Sequence, residues 1–566
     1  MRYHAHTMGT INGRTAFLKL LASEGVDCLF GNPGTTELAI MEALGRQRDI
    51  RYVLGLQESV VVGMADGYAR ASGRIGACNV HVAPGLGNAM GALYNAKFAG
   101  SPVIVTAGQQ EQGHGLTEPL LYDPLVPIAQ PMVKWAVEVT RVEDLPRIVR
   151  RAAKVATAPP AGPVFISLPG DVLDGETDVD LGRPTRVDAR TRPGDEAVEA
   201  LAKRLLAARN PVLVAGHELQ VYDALALAGE LALALGAPVY QQTMPHSAQF
   251  HSEHPCFMGS IPRQQPDARR LLEPHDAALF LGGDVLRMSV YSPVDPLPPG
   301  TAVLQIAERD WELGKNYPAE IALSTNVKET LKVLVPAVLR LGGAARAGES
   351  ARRVAGLAAS NWSAQRAKLA AAAERIDGAK PIDPRVLMLR IADALPADAV
   401  VVDEGITTSA SLHAFRALRH ARAHFGMASG GIGWGIAAAN GVSLALPGRP
   451  VCAIIGDGSA MYGVQALWTA AHYRLPVAFV IGNNRSYRIL KERLVSMRGA
   501  EKHVGMDIRD PAIEWVGLAE SLGVPARRVT DAADIAPAIR EATGRSGPSL
   551  IDAVVQDGFD DSMNGT

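Results

Sequence analysis

Short, apolar, β-branched runs alternate with helix-length stretches along the whole chain. They are VDCLFGNPG, GACNVH, SPVIVTAG and GPVFISLPGDV, then NPVLVAG, APVYQQ, AALFLGGDV and TAVLQIA, then DAVVVDEG, RPVCAIIGDGS, PVAFVIGNN and PSLIDAVV. Runs this apolar have no polar face to turn to water, so they predict strands of parallel sheets covered by helices on both sides. The rhythm predicts an α/β chain of three doubly wound parallel-sheet domains, over residues 1–185, 190–345 and 375–566. Between Gly342 and Lys380 the chain is rich in alanine, arginine and lysine and lacks a strand signal. That stretch is expected to be an exposed helical connection. Such sheets place ligands at the carboxyl ends of their strands, where the glycine-rich turns here fall.

Composition removes several alternatives. Of 566 residues 48% are hydrophobic and 20% charged, enough for several cores and too balanced for a disordered chain. A net charge of −2 gives no footprint for nucleic acid or an anionic membrane. Cys28, Cys78, Cys256 and Cys452 are far apart and form no CxxC pair, which argues against a zinc or disulfide framework. The start, MRYHAHTMGTINGR, has no apolar signal stretch, and no apolar run reaches the ~20 residues of a membrane span. A cytoplasmic enzyme is the expectation.

The most specific signal is Gly456-Asp457-Gly458-Ser459, followed downstream by Asn483-Asn484. Both pieces are expected at strand ends, joined by a helix over AMYGVQALWTAAHYRL. A GDG alone is a common strand–turn–helix; the paired asparagines give it chemistry. Magnesium takes hard oxygen ligands and keeps company with phosphates. Asp457 offers a carboxylate, Asn484 an amide oxygen and Ser486 a backbone carbonyl. Gly456 and Gly458 let the backbone approach an anion, and a helix starting near Ser459 would point its N-terminal dipole at it.

GDGS…NN resembles the cofactor motif of thiamine diphosphate enzymes, and the likeness extends over nearly the whole chain. It implies a pyrimidine-binding domain first, a middle domain, and a diphosphate- and magnesium-binding domain last. Glu58, in LGLQESVVVGMADGYARASG, opens an apolar helix where Val60, Val61, Val62 and Met64 would bury it. In the family this acid bonds the cofactor's pyrimidine ring and drives its tautomerisation, so the resemblance makes Glu58 catalytic. It also implies an assembly of at least a homodimer, with a homotetramer usual.

Within the family, FGNPGTTEL, NVHVAPGLGNAMGAL, SPVIVTAGQQ and ASGGIGWGIAAANG look most like benzoylformate decarboxylases. The likeness implies His81 as a catalytic proton-transfer group. It places Asn88, Thr407 and Tyr487 at the cofactor, with Ile432 as the residue that bends it. Thr35 stands where the family has a small hydroxyl residue near the substrate. Ser289, in GGDVLRMSVYSP, takes the place of a second catalytic histidine, and His114 could substitute only if it were not solvent-exposed. Ile489 and Leu490 would narrow the substrate pocket; Lys491 and Arg493 would add positive charge if either turned inward. The reading is decarboxylation of a 2-oxo acid to an aldehyde, with thiamine diphosphate and Mg2+ as cofactors. The alternative is a carboligase or carbon–carbon lyase resembling 2-hydroxyacyl-CoA lyase or acetolactate synthase, acting on an acyl substrate. A catalytically silent homologue is disfavoured by the retention of Glu58, Asp457 and Asn484.

Overall fold

The computed structural model describes residues 10–499 and 502–559. The opening MRYHAHTMG, read above for a signal stretch, lies outside the described residues. Three sheets carry the fold, each of six strands. In the first, β1 (Cys28–Gly31), β2 (Arg51–Leu54), β3 (Gly76–Val80), β4 (Val103–Gln109), β5 (Ala136–Glu138) and β6 (Val164–Pro169) run in the order β2-β1-β3-β4-β6-β5. In the middle sheet β7 (Pro211–Ala215), β8 (Val239–Gln241), β9 (Phe257–Ser260), β10 (Ala277–Leu281), β11 (Ala302–Ala307) and β12 (Ile321–Ser324) run β9-β8-β7-β10-β11-β12. The third holds β13 (Val400–Glu404), β14 (His424–Gly426), β15 (Val451–Gly456), β16 (Val477–Asn483), β17 (Ala526–Val529) and β18 (Ser549–Val554), in the order β14-β13-β15-β16-β18-β17. All pairs in these sheets are parallel.

The first and third sheets thus share one strand order, and each reverses direction between its first and third strands. The crevice at such a switch point is open because the flanking helices leave on opposite faces. Asn32 and His81 sit at this point in the first sheet, and Glu404 and Asp457 in the third.

Helices α1 (Glu58–Ser72) and α2 (Val82–Ala99) cover the first sheet, and α3 (Trp434–Ala445) the third. Helices α1 and α3 meet almost backbone to backbone. A Cβ added at Gly67 would lie 2.4 Å from the Ala438 carbonyl oxygen, and one at Gly441 2.0 Å from that of Met64. Only glycine permits this approach, which fuses the two sheets' cores into one apolar cluster. Its polar rivet is Asp66, fully buried, which accepts from Trp434 Nε1 at 2.6 Å and from Asn95 Nδ2 at 2.9 Å.

The expected connection is helical, over Val327–Leu357 and Trp362–Glu374. It is mostly exposed, although Trp362 anchors it in the middle domain's core. The helix expected after Ser459 differs: it is broken into Asp457–Ala460 and Ala466–His472. Its first piece is a single turn, so little helix dipole is aimed at an anion there. The four cysteines are buried and unpaired. Among the described residues, no helix is long and apolar enough to cross a membrane.

Candidate active site

At the first sheet's switch point, Gln57 rather than Glu58 caps α1, its side chain accepting from the amides of Ser59 and Val60. Glu58 is thereby free to turn its carboxylate inward, where it is buried. Asn32 Nδ2 donates to its Oε1 at 3.1 Å and Asn88 Nδ2 to its Oε2 at 3.0 Å. Gly85, one turn into α2, lets that helix pass beside the acid: a Cβ there would sit 3.1 Å from Glu58 Oε1. The same loops hold His81. Its Nδ1 lies 2.8 Å from Oε2 of Glu37, a carboxylate with no exposed surface. Glu37 also accepts from the Gly34 amide at 2.9 Å and the Gly108 amide at 2.8 Å. An acceptor at Nδ1 fixes the tautomer that leaves Nε2 as the proton-exchanging atom.

Glu37 escaped sequence reading because an acid three residues after a turn reads as a helix start, and Glu37 does close such a cap. Thr36 is a second addition: its hydroxyl is 3.2 Å from His81 Nδ1, whereas the side chain of Thr35 is exposed on the same short turn.

At the third sheet's switch point, Asp457 is buried, and burial pushes its carboxyl up to about 6. Its hydrogen-bond partners are the amides of Gly458 at 2.8 Å and Arg485 at 2.6 Å. A buried carboxylate served only by amides suits a cation. The asparagine pair divides its labour: Asn483 donates to Asp552 inside the sheet at 2.8 Å, while Asn484 projects past the strand end. Asn484 Oδ1 accepts from the Ser486 amide at 3.0 Å, which orients it and leaves a second lone pair free. The buried Ser486 hydroxyl has no partner. A carboxylate, an amide oxygen and a turn with an unserved oxygen fit an oxygen-loving divalent ion beside a phosphate.

Gly458 packs under the Tyr487 ring, where a Cβ would lie 2.6 Å from Cε1. Ser459 is buried beside the buried carboxylate of Glu404. Glu404 in turn accepts from the amides of Gly433 at 2.6 Å and Gly435 at 2.5 Å, and so holds the loop bearing half-buried Ile432. Thr407 is half-buried on the loop leaving β13. Gly456 ends β15 directly beneath this loop.

The remaining candidates lie elsewhere. Ser289 lines a cavity of about 480 Å3 where the three domains meet, with Phe98, Arg287, Arg309, Ile406 and Ser429. Ile489 is half-buried and Leu490 exposed on Arg488–Arg498. Lys491 does turn inward and is fully buried, but Asp507 at 2.7 Å and Asp557 at 3.1 Å neutralise it. His114 is exposed. Among the described residues, the Glu58 and Asp457 clusters share no hydrogen bond.

Comparison with known proteins matches three thiamine pyrophosphate enzyme family profiles: the N-terminal TPP binding domain over residues 11–120, the central domain over 198–334 and the C-terminal TPP binding domain over 403–553. A benzoylformate decarboxylase of Pseudomonas aeruginosa is 33% identical over 96% of this chain and 98% of its own length. An acetolactate synthase of Mycobacterium bovis is 28% identical over 96% of this chain and 88% of its own. The solved 4-hydroxybenzoylformate decarboxylase of Rhodococcus jostii, described as thiamine diphosphate-dependent, superposes with a TM-score of 0.85 at 32% identity, covering 97% of this chain and 100% of that one.

Proposed function

The chain belongs to the thiamine pyrophosphate enzyme family, and on that premise we propose that it decarboxylates a 2-oxo acid to an aldehyde. When bound, thiamine diphosphate supplies a nucleophilic carbon and a sink for the electron pair released with carbon dioxide. The residues of the chain bind, orient and move protons around it. Glu58, held between Asn32 and Asn88, presents its carboxylate to the pyrimidine ring. Asp457, Asn484 and the Ser486 carbonyl hold Mg2+, and Gly456, Gly458, Ser459, Thr407 and Tyr487 form the wall around the diphosphate. Ile432, on the loop held by Glu404, would contact the bound cofactor. His81 exchanges a proton with the substrate through Nε2, its ring held by buried Glu37; what favours decarboxylation is the likeness over nearly the whole chain to a benzoylformate decarboxylase.

A carboligase would use the same groups, so product analysis separates the two. Purified enzyme with thiamine diphosphate and Mg2+ should release carbon dioxide and an aldehyde from an aryl or aliphatic 2-oxo acid. Carbon–carbon ligation or 2-hydroxyacyl-CoA cleavage, with no decarboxylation of any 2-oxo acid, would overturn the reading.

The Glu58 and Asp457 clusters are separate within one chain, and Leu116, Leu120 and Tyr462 expose 93%, 86% and 56% of their surface. Both features support a site completed by a second copy, in a homodimer or a tetramer of such dimers.

A further inference from the structure

A cluster outside this chemistry lies on the opposite face of the third sheet's first two strands. Asp403 is the next-to-last residue of β13 and His424 begins β14; Val401 pairs with His424 and Asp403 with Gly426, so the two side chains share a face. The short helix Leu412–Phe415 crosses that face and brings in His413. One ligating atom from each of Asp403, His413 and His424 falls within 4.8 Å of the others.

The wiring of these groups is incomplete in a way that points to a ligand. His424 is 1% exposed, and neither of its ring nitrogens has a hydrogen-bond partner. Its Nε2 faces Asp403 Oδ2 at 3.8 Å, too far for a hydrogen bond. Asp403 Oδ1 is taken by the Gly405 amide at 2.9 Å, which leaves Oδ2 directed at the imidazole. The Gln241 side chain enters from the middle domain, 1% exposed, with Nε2 3.4 Å from His413 Nδ1 and an Oε1 that has no partner. Burying three such polar atoms unserved costs free energy at each.

We propose that Asp403, His413 and His424 form a second metal site, for a divalent ion of zinc's class, at the seam between the middle and third domains. Two imidazoles and a carboxylate are a borderline-soft set that suits zinc and not magnesium. Tetrahedral coordination at the usual Zn–N length needs ligand atoms about 3.3 Å apart. To reach this, His413 turns inward on its one-turn helix and Asp403 Oδ2 closes on His424 Nε2 from 3.8 Å. Gln241 Oε1, after rotation of its amide, or water supplies the fourth ligand. The role is structural: the ion ties the loop leaving β13, which carries Thr407, to β14 and to the middle domain.

The test uses the full-length protein, stripped with chelator, loaded with Zn2+ in excess Mg2+ and thiamine diphosphate, and passed through gel filtration. Wild type and Asp457→Ala should each retain about one zinc per chain. His424→Ala and His413→Gln should each lose it, with at least roughly tenfold weaker binding. Co2+ in place of zinc should give the strong visible bands of a tetrahedral site in wild type and in Asp457→Ala. Zinc should also raise the thermal midpoint of wild type and not that of the histidine variants. Should His424→Ala fail to fold, His413→Gln, whose side chain is only half-buried, carries the comparison. Retention by both histidine variants at the wild-type level, loss in Asp457→Ala alone, or no retention by wild type would each overturn the site.

Discussion

Oε2 of Glu37 stands 2.8 Å from Nδ1 of His81, and the same carboxylate is clamped by the amides of Gly34 and Gly108. Two segments distant in sequence, at His81 and Gly108, converge with the acid's own turn, so its position is over-determined while the imidazole beyond it keeps a free nitrogen. Glu37 is a positioning residue for His81. Glu37→Gln offers an amide donor where an acceptor stood and permits the wrong tautomer. We expect kcat to fall on the order of 10- to 100-fold with thiamine diphosphate affinity unchanged, and the limb of the pH–rate profile that reports His81 to move. Glu37→Asp should recover part of the rate. An unaltered pH profile in Glu37→Gln would reduce the pair to a structural contact.

Glu58 lies between two amide donors, Asn32 and Asn88, and leaves the capping of its helix to Gln57. Glu58→Gln keeps the shape and one acceptor oxygen, so the protein should fold and bind thiamine diphosphate. It should lose most of its turnover, because an amide cannot share a proton with a ring nitrogen. Steady-state rates at saturating cofactor, beside calorimetric binding, check this; near-wild-type turnover would remove Glu58 from the mechanism.

Glu58 and Asp457 were legible because each sits inside a continuous segment whose neighbours declare the local geometry. A strand ends, a glycine turns the chain, and the acid is left at the sheet's edge. Glu37 and Glu404 were not legible. Their partners lie in other loops (His81 and Gly108 for one, Gly433 and Gly435 for the other), and one sequence does not reveal which loops meet. Lys491 shows a second limit. Its inward turn was conceivable from the helix, but the acids that cancel it, Asp507 and Asp557, come from separate segments. The three sheets were visible as apolar runs, whereas the strand orders that create the two matching crevices depend on pairings between distant strands.

A buried neighbouring pair in the middle domain gives a pH signature. Burial, with Glu308 nearby, pushes the Glu218 carboxyl up to about 8, and burial beside three arginines lowers His217 to about 3. Folded Glu218 holds its proton where the unfolded chain releases it, so its contribution is lost as pH rises from 4.5 towards 8. His217 resists protonation when folded, and its contribution is lost as pH falls from 6.5 towards 3. The two slopes oppose each other below 6.5; above it Glu218 acts alone. Wild type should therefore lose on the order of 2 kcal/mol between pH 6.5 and 8 through this group. Glu218→Gln should flatten that decline, read as thermal midpoints across the interval. Equal slopes in the two proteins would refute the assignment.

Ser289 is the position where the chain departs from the benzoylformate decarboxylase pattern. It is exposed at the wall of the 480 Å3 cavity, beside Arg287 and across from Ile406 and Ser429 of the third domain. A serine hydroxyl is too weak an acid to donate a proton near neutrality, and this one is not built into a hydrogen-bonded relay. Loss of a group needed for proton transfer costs on the order of a hundredfold or more. Ser289→Ala should instead change turnover of the native substrate by less than about threefold, well short of that cost. Ser289→His should raise benzoylformate turnover, because the side chain faces open space and an imidazole can enter it without displacing core residues. Rates for both variants, with thiamine diphosphate binding measured alongside, decide the matter. A hundredfold loss in Ser289→Ala with the cofactor still bound would make Ser289 a direct contact of the substrate. The decarboxylase reading would then need a different proton donor, with His81 the first candidate to test.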